Sequence, residues 1–167
     1  EQSIPMIYVN QVGGQDELVF DGGSFAVNAD GELAVVAPDF EEGCFDLSVE
    51  RTVRGVEIAQ GVAATALSDV AAVWQALVLG VRDYVEKNGF PGVVLGLSGG
   101  IDSAVTLAVA VDALGADRVQ AVMMPFKYTA DMSVEDAGEQ ASIMGVEYDV
   151  ISICLLYTSD AADDIRC

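Results

Sequence analysis

Hydrophobic and polar positions follow one pattern in the first quarter of the chain and another in the rest. From residue 4 to residue 43, short runs rich in Val, Ile, Phe and Tyr are separated by Gly13-Gly14, Gly22-Gly23 and Asp30-Gly31. Short apolar runs between turn residues predict β-strands, and an Asp-Gly step predicts a hairpin because glycine accepts the positive φ that the turn requires. We expect one more strand at residues 45–49.

One long helix is predicted next, over residues 67–88. Its apolar residues recur at the three- and four-residue spacing of a single buried face. The residues of this predicted face are Val70, Val73, Trp74, Leu77, Val78, Val81, Tyr84 and Val85. Ser68 is placed to cap the first turn, and Gly89 followed by Pro91 ends the helix.

Strands and helices then alternate to the end of the interpretable sequence. The nearly continuous apolar run GVVLGL is typical of a strand buried on both faces of a parallel sheet. The expected elements are a strand at 92–97, a helix at 103–114, a strand at 119–124, a helix from the capping box of Ser133 and Asp136 to Gly145, and a strand at 147–153. This β-α-β-α-β order predicts an α/β fold with a doubly wound parallel sheet.

Charge and composition exclude several classes of function. The chain of 167 residues has 27 acidic and 7 basic residues and a net charge of −20, which argues against a nucleic-acid partner because that binding depends on Lys and Arg. There is no histidine, so Ser-His-Asp and Cys-His catalysis are excluded from this segment. The cysteines Cys44, Cys154 and Cys167 form no CxxC pair, so we expect a reducing, cytoplasmic setting. No apolar run reaches the length of a membrane span.

The step from the predicted strand at 92–97 to the following helix has the sequence Ser-Gly-Gly-Ile-Asp-Ser, residues 98–103. In α/β sheets the ligand crevice lies at the carboxyl ends of the strands, where this turn is placed. Gly99 and Gly100 can bring backbone N–H groups together around an anion, and the helix N-terminus adds a partial positive charge. These features predict a phosphate-binding turn.

The polar side chains of this turn suit the same ligand. Ser98 and Ser103 can donate hydrogen bonds to phosphate oxygens, and Asp102 is a hard oxygen ligand suited to Mg²⁺. Neither the P-loop pattern with its lysine nor the G-x-G-x-x-G fingerprint is present. The alternative is a tight strand-to-helix turn in which Asp102 or Ser98 only caps the helix.

The hexapeptide resembles the SGGxDS loop of the ATP pyrophosphatases, which cleave ATP between the α and β phosphates and adenylate a substrate. The resemblance implies that residues 123–133 border the adenine and ribose, largely through backbone groups. Lys127 is the one basic side chain there. Thr129 or Ser133 could touch a phosphate, although Ser133 also begins the predicted capping box. The implied ATP-binding residues are Gly96, Leu97, Ser98, Gly99, Gly100, Ile101, Asp102, Ser103, Met123 and Met124, with Asp102 as the Mg²⁺ ligand.

The flanking sequence is similar to one branch of that superfamily. Residues 8–34, YVNQVGGQDELVFDGGSFAVNADGELA, resemble the last strands of a nitrilase-type glutaminase domain, and residues 76–137 resemble the start of a synthetase domain. This order is that of the glutamine-dependent NAD⁺ synthetase family. The resemblance implies the end of a nitrilase-like domain at 1–50, a linker at 51–66 and the start of the ATP-pyrophosphatase domain at 67–153.

The family resemblance implies a carbon–nitrogen ligase that uses Mg-ATP, deamido-NAD⁺ and glutamine and that forms homo-oligomers. The family's catalytic Glu-Lys-Cys set belongs upstream of this sequence, so Cys44 is expected to be a small buried or linker cysteine rather than the nucleophile. Asn10, Gln15 and Asp16 are expected near the opening of the glutaminase site, or in plain turn and strand-edge roles. We expect the chain by itself to be inactive.

The resemblance is expected to stop near residue 153. Residues 154–167, CLLYTSDAADDIRC, resemble the translated read-through of a sequencing adapter, and the alternative is a genuine divergent C-terminus. The clustered Asp160, Asp163 and Asp164 are therefore assigned no function. Two other functional hypotheses remain open. One is a pyrophosphatase with a different acceptor, and the other is an assembly module with Trp74 and Tyr84 at a contact.

Overall fold

The computed structural model describes residues 4–53, 55–126 and 128–153, which belong to two compact units, Glu1–Tyr84 and Val85–Cys167. The strands are β1 Met6–Tyr8, β2 Val12–Gln15, β3 Leu18–Asp21, β4 Phe25–Val27, β5 Leu33–Val36, β6 Val49–Thr52, β7 Gly55–Ile58, β8 Val93–Gly96, β9 Val119–Met123 and β10 Glu147–Val150. The helices are α1 Asp69–Lys87, α2 Ile101–Leu114 and α3 Asp131–Met144, with a 3₁₀ turn at Ala116–Arg118. No helix in these ranges is long and apolar enough to cross a membrane.

The first unit contains antiparallel β structure, as the short apolar runs predict. Strands β1, β4 and β5 form one sheet in the order β1-β4-β5, and β2 pairs with β3. The Asp-Gly step closes the β4–β5 hairpin, with Gly31 at φ 88° and its N–H donating to the Asn28 carbonyl oxygen at 2.9 Å. The core of this unit contains Ala26, Ala34, Val35 and Ile58.

The strand expected at residues 45–49 is displaced. Residues 41–48 have no regular structure, and the strand begins at Val49 and forms the β6–β7 hairpin. The expected linker therefore contains β7, and its later residues run beside β5, where the Val36 N–H donates to the Val62 carbonyl oxygen at 2.8 Å. Backbone pairing with β5 leaves no periodic pattern in the sequence, so the position of residues 61–64 beside β5 was not predicted. The domain boundaries themselves stay predictions.

Helix α1 confirms the predicted element, but its predicted face is only partly buried. The Ser68 hydroxyl accepts a hydrogen bond from the Ala71 N–H at 3.3 Å, as expected of a cap. Val78 and Val85 are buried, whereas Val70 is 81% exposed. Residues exposed despite the prediction are Val70, Val73, Leu77 and Tyr84. Periodicity identifies side chains that share a face, but burial depends on what packs against that face.

The second unit is a three-stranded parallel sheet in the order β10-β9-β8. The central strand β9 buries Val119, Ala121 and Met123, and both α2 and α3 contact it and each other. The expectation that β8 is buried on both faces is wrong, since Val94 is 67% exposed. Among the described strands, β8 lies at the edge of the sheet and not at its centre. The three described strands follow one another in a single direction across the sheet. A doubly wound sheet also has strands added in the opposite direction, so the doubly wound arrangement stays a prediction.

Helix α3 begins two residues before the predicted capping box. Ala130 is its N-cap, no side chain caps it, and Ser133 lies inside the first turn. The Ser133 N–H instead donates to the Ala130 carbonyl oxygen at 3.0 Å. The capping-box prediction is therefore wrong, because Ser133 lies inside the helix and not at its N-cap.

Candidate functional site

The candidate site is the loop that joins β8 to α2, residues 96–103, which we call the phosphate loop. Gly96 is the last residue of β8 and Ile101 the first of α2. Leu97 anchors the loop, since its side chain is 1% exposed and its N–H donates to the Val122 carbonyl oxygen at 2.9 Å. The loop thus begins on the sheet at the carboxyl ends of β8 and β9, the edge where α/β proteins bind ligands.

The two serines of the loop lie together and hydrogen-bond to each other. Their hydroxyl oxygens are 3.0 Å apart, and the Ser98 N–H donates to the Ser103 hydroxyl at 3.2 Å. The Ser103 hydroxyl donates to the Gly100 carbonyl oxygen at 2.9 Å, while the Ser98 hydroxyl accepts from the Gly100 N–H at 3.3 Å. A phosphate that takes a hydrogen bond from either serine must therefore replace one of these partners.

Helix capping does not explain this loop. The N-cap of α2 is Gly100, with φ −92° and no side-chain hydrogen bond to the helix. The proposal that Ser98 or Asp102 caps the helix is therefore wrong, and the first turn of α2 keeps backbone N–H groups without a side-chain cap. Asp102 lies in that first turn and is exposed.

Gly99 is required for a reason that the sequence does not reveal. Its φ is 76°, and a Cβ there would lie 2.8 Å from Ser133 Cα and 2.9 Å from the Ser133 carbonyl carbon. The first turn of α3 therefore packs directly on the backbone of the phosphate loop. At Gly100, by contrast, a Cβ would meet the Ser98 hydroxyl at 3.3 Å, which is a flexible neighbour.

The segment after β9 lies beside the phosphate loop. A Cβ at Gly96 would lie 3.3 Å from the Met124 methyl carbon, and Met124 is half-exposed. Met123 has a buried side chain, and its carbonyl oxygen accepts from the Ile151 N–H at 2.9 Å. The side chain of Met123 is therefore not accessible to a nucleotide, whereas that of Met124 is.

The side-chain hydroxyl oxygen of Thr129 takes part in its own turn. It accepts from the Phe126 N–H at 2.9 Å, and the Thr129 N–H donates to the Phe126 carbonyl oxygen at 2.8 Å. Lys127 lies outside the described residues. Because this bond uses the hydroxyl oxygen only as an acceptor, a phosphate contact through Thr129 stays a prediction, as does the expectation that residues 123–133 border the adenine and ribose.

A divalent cation fits the donor set at Asp102. Among the described residues there is no group of three or more His, Cys, Asp or Glu side chains that could hold a metal. Mg²⁺ commonly binds through one or two carboxylates and completes its shell with substrate phosphates and water. One exposed carboxylate beside a helix start without a side-chain cap matches that chemistry.

The candidate residues of the first unit have local roles. The Asn10 amide donates to the Asp21 carboxylate at 3.1 Å, and the Asn10 N–H donates to the Ser24 hydroxyl at 3.0 Å. The Gln15 amide donates to Asp16, which lies in the β2–β3 turn at φ 51°. Cys44 is a free, exposed cysteine rather than a buried one. Cys154, Cys167 and the aspartates of the tail lie outside the described residues.

Known proteins are similar to this chain in both sequence and fold. The model of the NAD synthase family matches residues 73–163, which extends past residue 153 into the tail. The chain is 52% identical over 155 residues to the glutamine-dependent NAD(+) synthetase of Acinetobacter baylyi, a match that covers 90% of the chain and 28% of that protein. For the same enzyme of Synechocystis, the identity is 46% over 151 residues, with 90% and 27% covered.

A solved structure gives the same relationship. The glutamine-dependent NAD+ synthetase from Acinetobacter baumannii in complex with ADP matches with a TM-score of 0.87 and 54% identity, covering 93% of this chain and 29% of that one. The chain thus spans less than a third of the length of these relatives.

Proposed function

The chain belongs to the NAD synthase family, and from that premise we propose that it supplies the ATP phosphate loop of a glutamine-dependent NAD⁺ synthetase. The observation that carries the proposal is the strand–turn–helix geometry of residues 96–103, with an uncapped helix start and an exposed Asp102. The relatives named above are glutamine-dependent enzymes of this kind, and one was solved with ADP.

The proposed work of the loop is to bind and hold the β and γ phosphates of ATP. Backbone N–H groups at the start of α2 donate to phosphate oxygens, and the helix dipole favours their negative charge. The Ser98 hydroxyl exchanges its hydrogen bond to the Ser103 hydroxyl for one to a phosphate oxygen, while the Ser103 hydroxyl keeps its bonds to the Gly100 carbonyl oxygen and the Ser98 N–H. Both ends of the exchange remain hydrogen-bonded, so little free energy is lost in the switch.

Asp102 would hold Mg²⁺ at this loop. A bound magnesium ion supplies positive charge that this acidic chain lacks, and it neutralises the polyphosphate. Asp102 would hold the ion from the first turn of α2, while the buried Leu97 keeps the loop fixed on the sheet. The protein groups therefore position the phosphates before any bond changes.

The proposed reaction has two steps. The nicotinate carboxylate oxygen of deamido-NAD⁺ attacks the α-phosphorus of ATP, and pyrophosphate leaves into the phosphate loop. Ammonia from glutamine then attacks the acyl carbon of the adenylate, AMP leaves with the carboxylate oxygen, and the nitrogen loses a proton to give the amide of NAD⁺. We further propose that the assembled enzyme is a cytoplasmic homo-oligomer.

Asp102→Ala tests the proposal in a chimera that carries residues 4–153 of this chain in place of the matching segment of the Acinetobacter baylyi enzyme. We expect the Kd of Mg-ATP to rise about tenfold or more, equivalent to about 1.4 kcal/mol. Synthesis of NAD⁺ from ammonia should fall with it.

Asp136→Ala is the matched control, since Asp136 is also an exposed helical aspartate and its loss changes the net charge equally. The control should bind Mg-ATP like the unmodified chimera. Equal Mg-ATP affinity in the Asp102 variant and the control would contradict the proposed role of the loop.

A further inference from the structure

Acidic side chains cover the second unit, and few basic ones oppose them. Residues 85–153 contain ten acidic residues and three basic ones, and all ten acidic side chains are exposed. Arg118, one of the basic residues, lies 3.7 Å from the Glu86 carboxylate and donates to the carbonyl oxygens of Phe90 and Pro91. The surface of this unit therefore carries an excess of negative charge, which repels itself in the folded state.

Helix α3 concentrates that charge along one side. Asp131, Glu135 and Glu139 follow one another at four-residue spacing, which makes each carboxylate a neighbour of the next on the helix surface. The helix contains no basic residue, and no hydrogen bond or ion pair joins these three carboxylates to another described residue. The helix dipole favours Asp131 in the first turn, but it does not reach Glu135 and Glu139. Like charges at this spacing destabilise a helix.

The packing that opposes this repulsion is made by small side chains. The buried residues of α3 are Ala137 and Ala141. Gly138 lies between them in sequence, and a Cβ there would lie 3.6 Å from a ring carbon of Tyr148. Hydrophobic stabilisation is proportional to the apolar area removed from water, so two alanines hold α3 less firmly than large side chains would. A glycine inside a helix weakens it further.

The same helix supports the phosphate loop within this unit. A Cβ at Gly99 would lie 2.8 Å from Ser133 Cα, so the first turn of α3 is in direct contact with the backbone of the loop. The Ala104 N–H, at the end of the loop, donates to the Gly100 carbonyl oxygen at 3.1 Å. Loosening of α3 therefore removes a surface on which the loop packs.

We propose that α3 is sensitive to ionic strength, and that screening of its carboxylates by salt stabilises both the helix and the phosphate loop. The screening length falls from about 10 Å at 0.1 M salt to about 3 Å at 1 M. Side chains four residues apart on a helix have Cβ atoms about 5–6 Å apart. The repulsion therefore acts at the lower concentration and is largely removed at the higher one. The inference does not depend on which ligand the loop binds.

The test measures amide hydrogen exchange in the chimera at about 0.1 M and about 1 M KCl. Protection of the α3 amides should rise about twofold to fivefold with salt, as expected for the loss of two like-charge pairs. Protection of the Ala104 amide should rise with it. Glu135→Gln removes both pairs, because Glu135 has a carboxylate four residues away on each side. This variant should show at the lower concentration the protection that the unmodified chimera reaches at the higher one.

Glu147→Gln is the matched control. Glu147 is an exposed glutamate of the same unit, and its replacement changes the net charge equally, but it lies on β10 without carboxylates at helical spacing. The control should keep the salt response of the unmodified chimera.

Three results would overturn the inference. An equal salt response in Glu135→Gln and Glu147→Gln would show that repulsion along α3 is not the cause. A response to KCl that choline chloride at the same ionic strength does not reproduce would show a bound cation instead of screening. An unchanged Ala104 amide while α3 responds would show that the helix does not support the loop. Failure of the chimera to bind Mg-ATP contradicts only the proposed function.

Discussion

Replacing Gly99 with alanine should destabilise the second unit far more than replacing a glycine of similar backbone conformation elsewhere. An L-residue at φ 76° costs about 1–2 kcal/mol for the left-handed conformation alone. The added Cβ would also press on the Ser133 backbone, 2.8 Å from its Cα. Forcing an extra carbon into such a contact costs about 1–3 kcal/mol more. The expected total is about 2–5 kcal/mol.

Gly145→Ala is the matched control. Gly145 has φ 70°, almost the same as Gly99, and a Cβ there would have no atom within 4 Å. That variant should lose only the conformational term of about 1–2 kcal/mol. The difference between the two variants therefore isolates the contact between the phosphate loop and α3.

The assay is equilibrium unfolding in urea, followed by circular dichroism, with each free energy of unfolding extrapolated to zero denaturant. The same substitutions in the chimera, followed by hydrogen exchange in α3, provide the comparison in an assembled enzyme. If Gly99→Ala loses no more stability than Gly145→Ala, then α3 does not pack on the phosphate loop and the explanation for Gly99 is wrong.

Two further predictions concern single polar groups. Asn28→Ala should lower stability by about 2–3 kcal/mol and speed hydrogen exchange of the Ile58 amide, because the Asn28 side chain bonds both backbone groups of Ile58, at 2.9 and 2.8 Å. Burial raises the pKa of Tyr148 above its usual value near 10, so its neutral form stabilises the fold below about pH 10 and that stability is lost as pH rises further. Tyr148→Phe should flatten the decline above pH 10 in urea titrations and cost no stability at pH 7, since the buried hydroxyl has no hydrogen-bond partner among described residues.

Local patterns in the sequence were sufficient for the family and for most elements. The hexapeptide at 98–103, with its flanks, predicted the family that the comparisons then confirmed, and it predicted a phosphate-binding turn at the place where β8 joins α2. Helix α1 and the β4–β5 hairpin also form where they were predicted. Each of these features is set by residues within a few positions of one another, as with Ser68 at the start of α1 and Gly31 in its turn.

Long-range contacts produced the departures from the sequence predictions. Helix α3 starts at Asp131 rather than near Ser133. On the face of α1 that was predicted to be buried, Val70 is exposed. Strand β6 likewise begins at Val49, where the pairing partner β7 is available. In each case the local signal was present, but a neighbouring element decided where the structure began or which surface was covered.

The sequence by itself determined the chemistry of the phosphate loop and its place between a strand and a helix, because φ preferences, hydroxyls and carboxylates are properties of single residues and their near neighbours. Only the tertiary structure decided that the backbone of Gly99 packs against the first turn of α3 and that the Asp83 carboxylate accepts a hydrogen bond from the Gly14 N–H. Those requirements arise where backbones distant in sequence approach within van der Waals distance. A glycine shows in the sequence that a close approach is possible, but the partner that makes the approach is fixed only when the chain has folded.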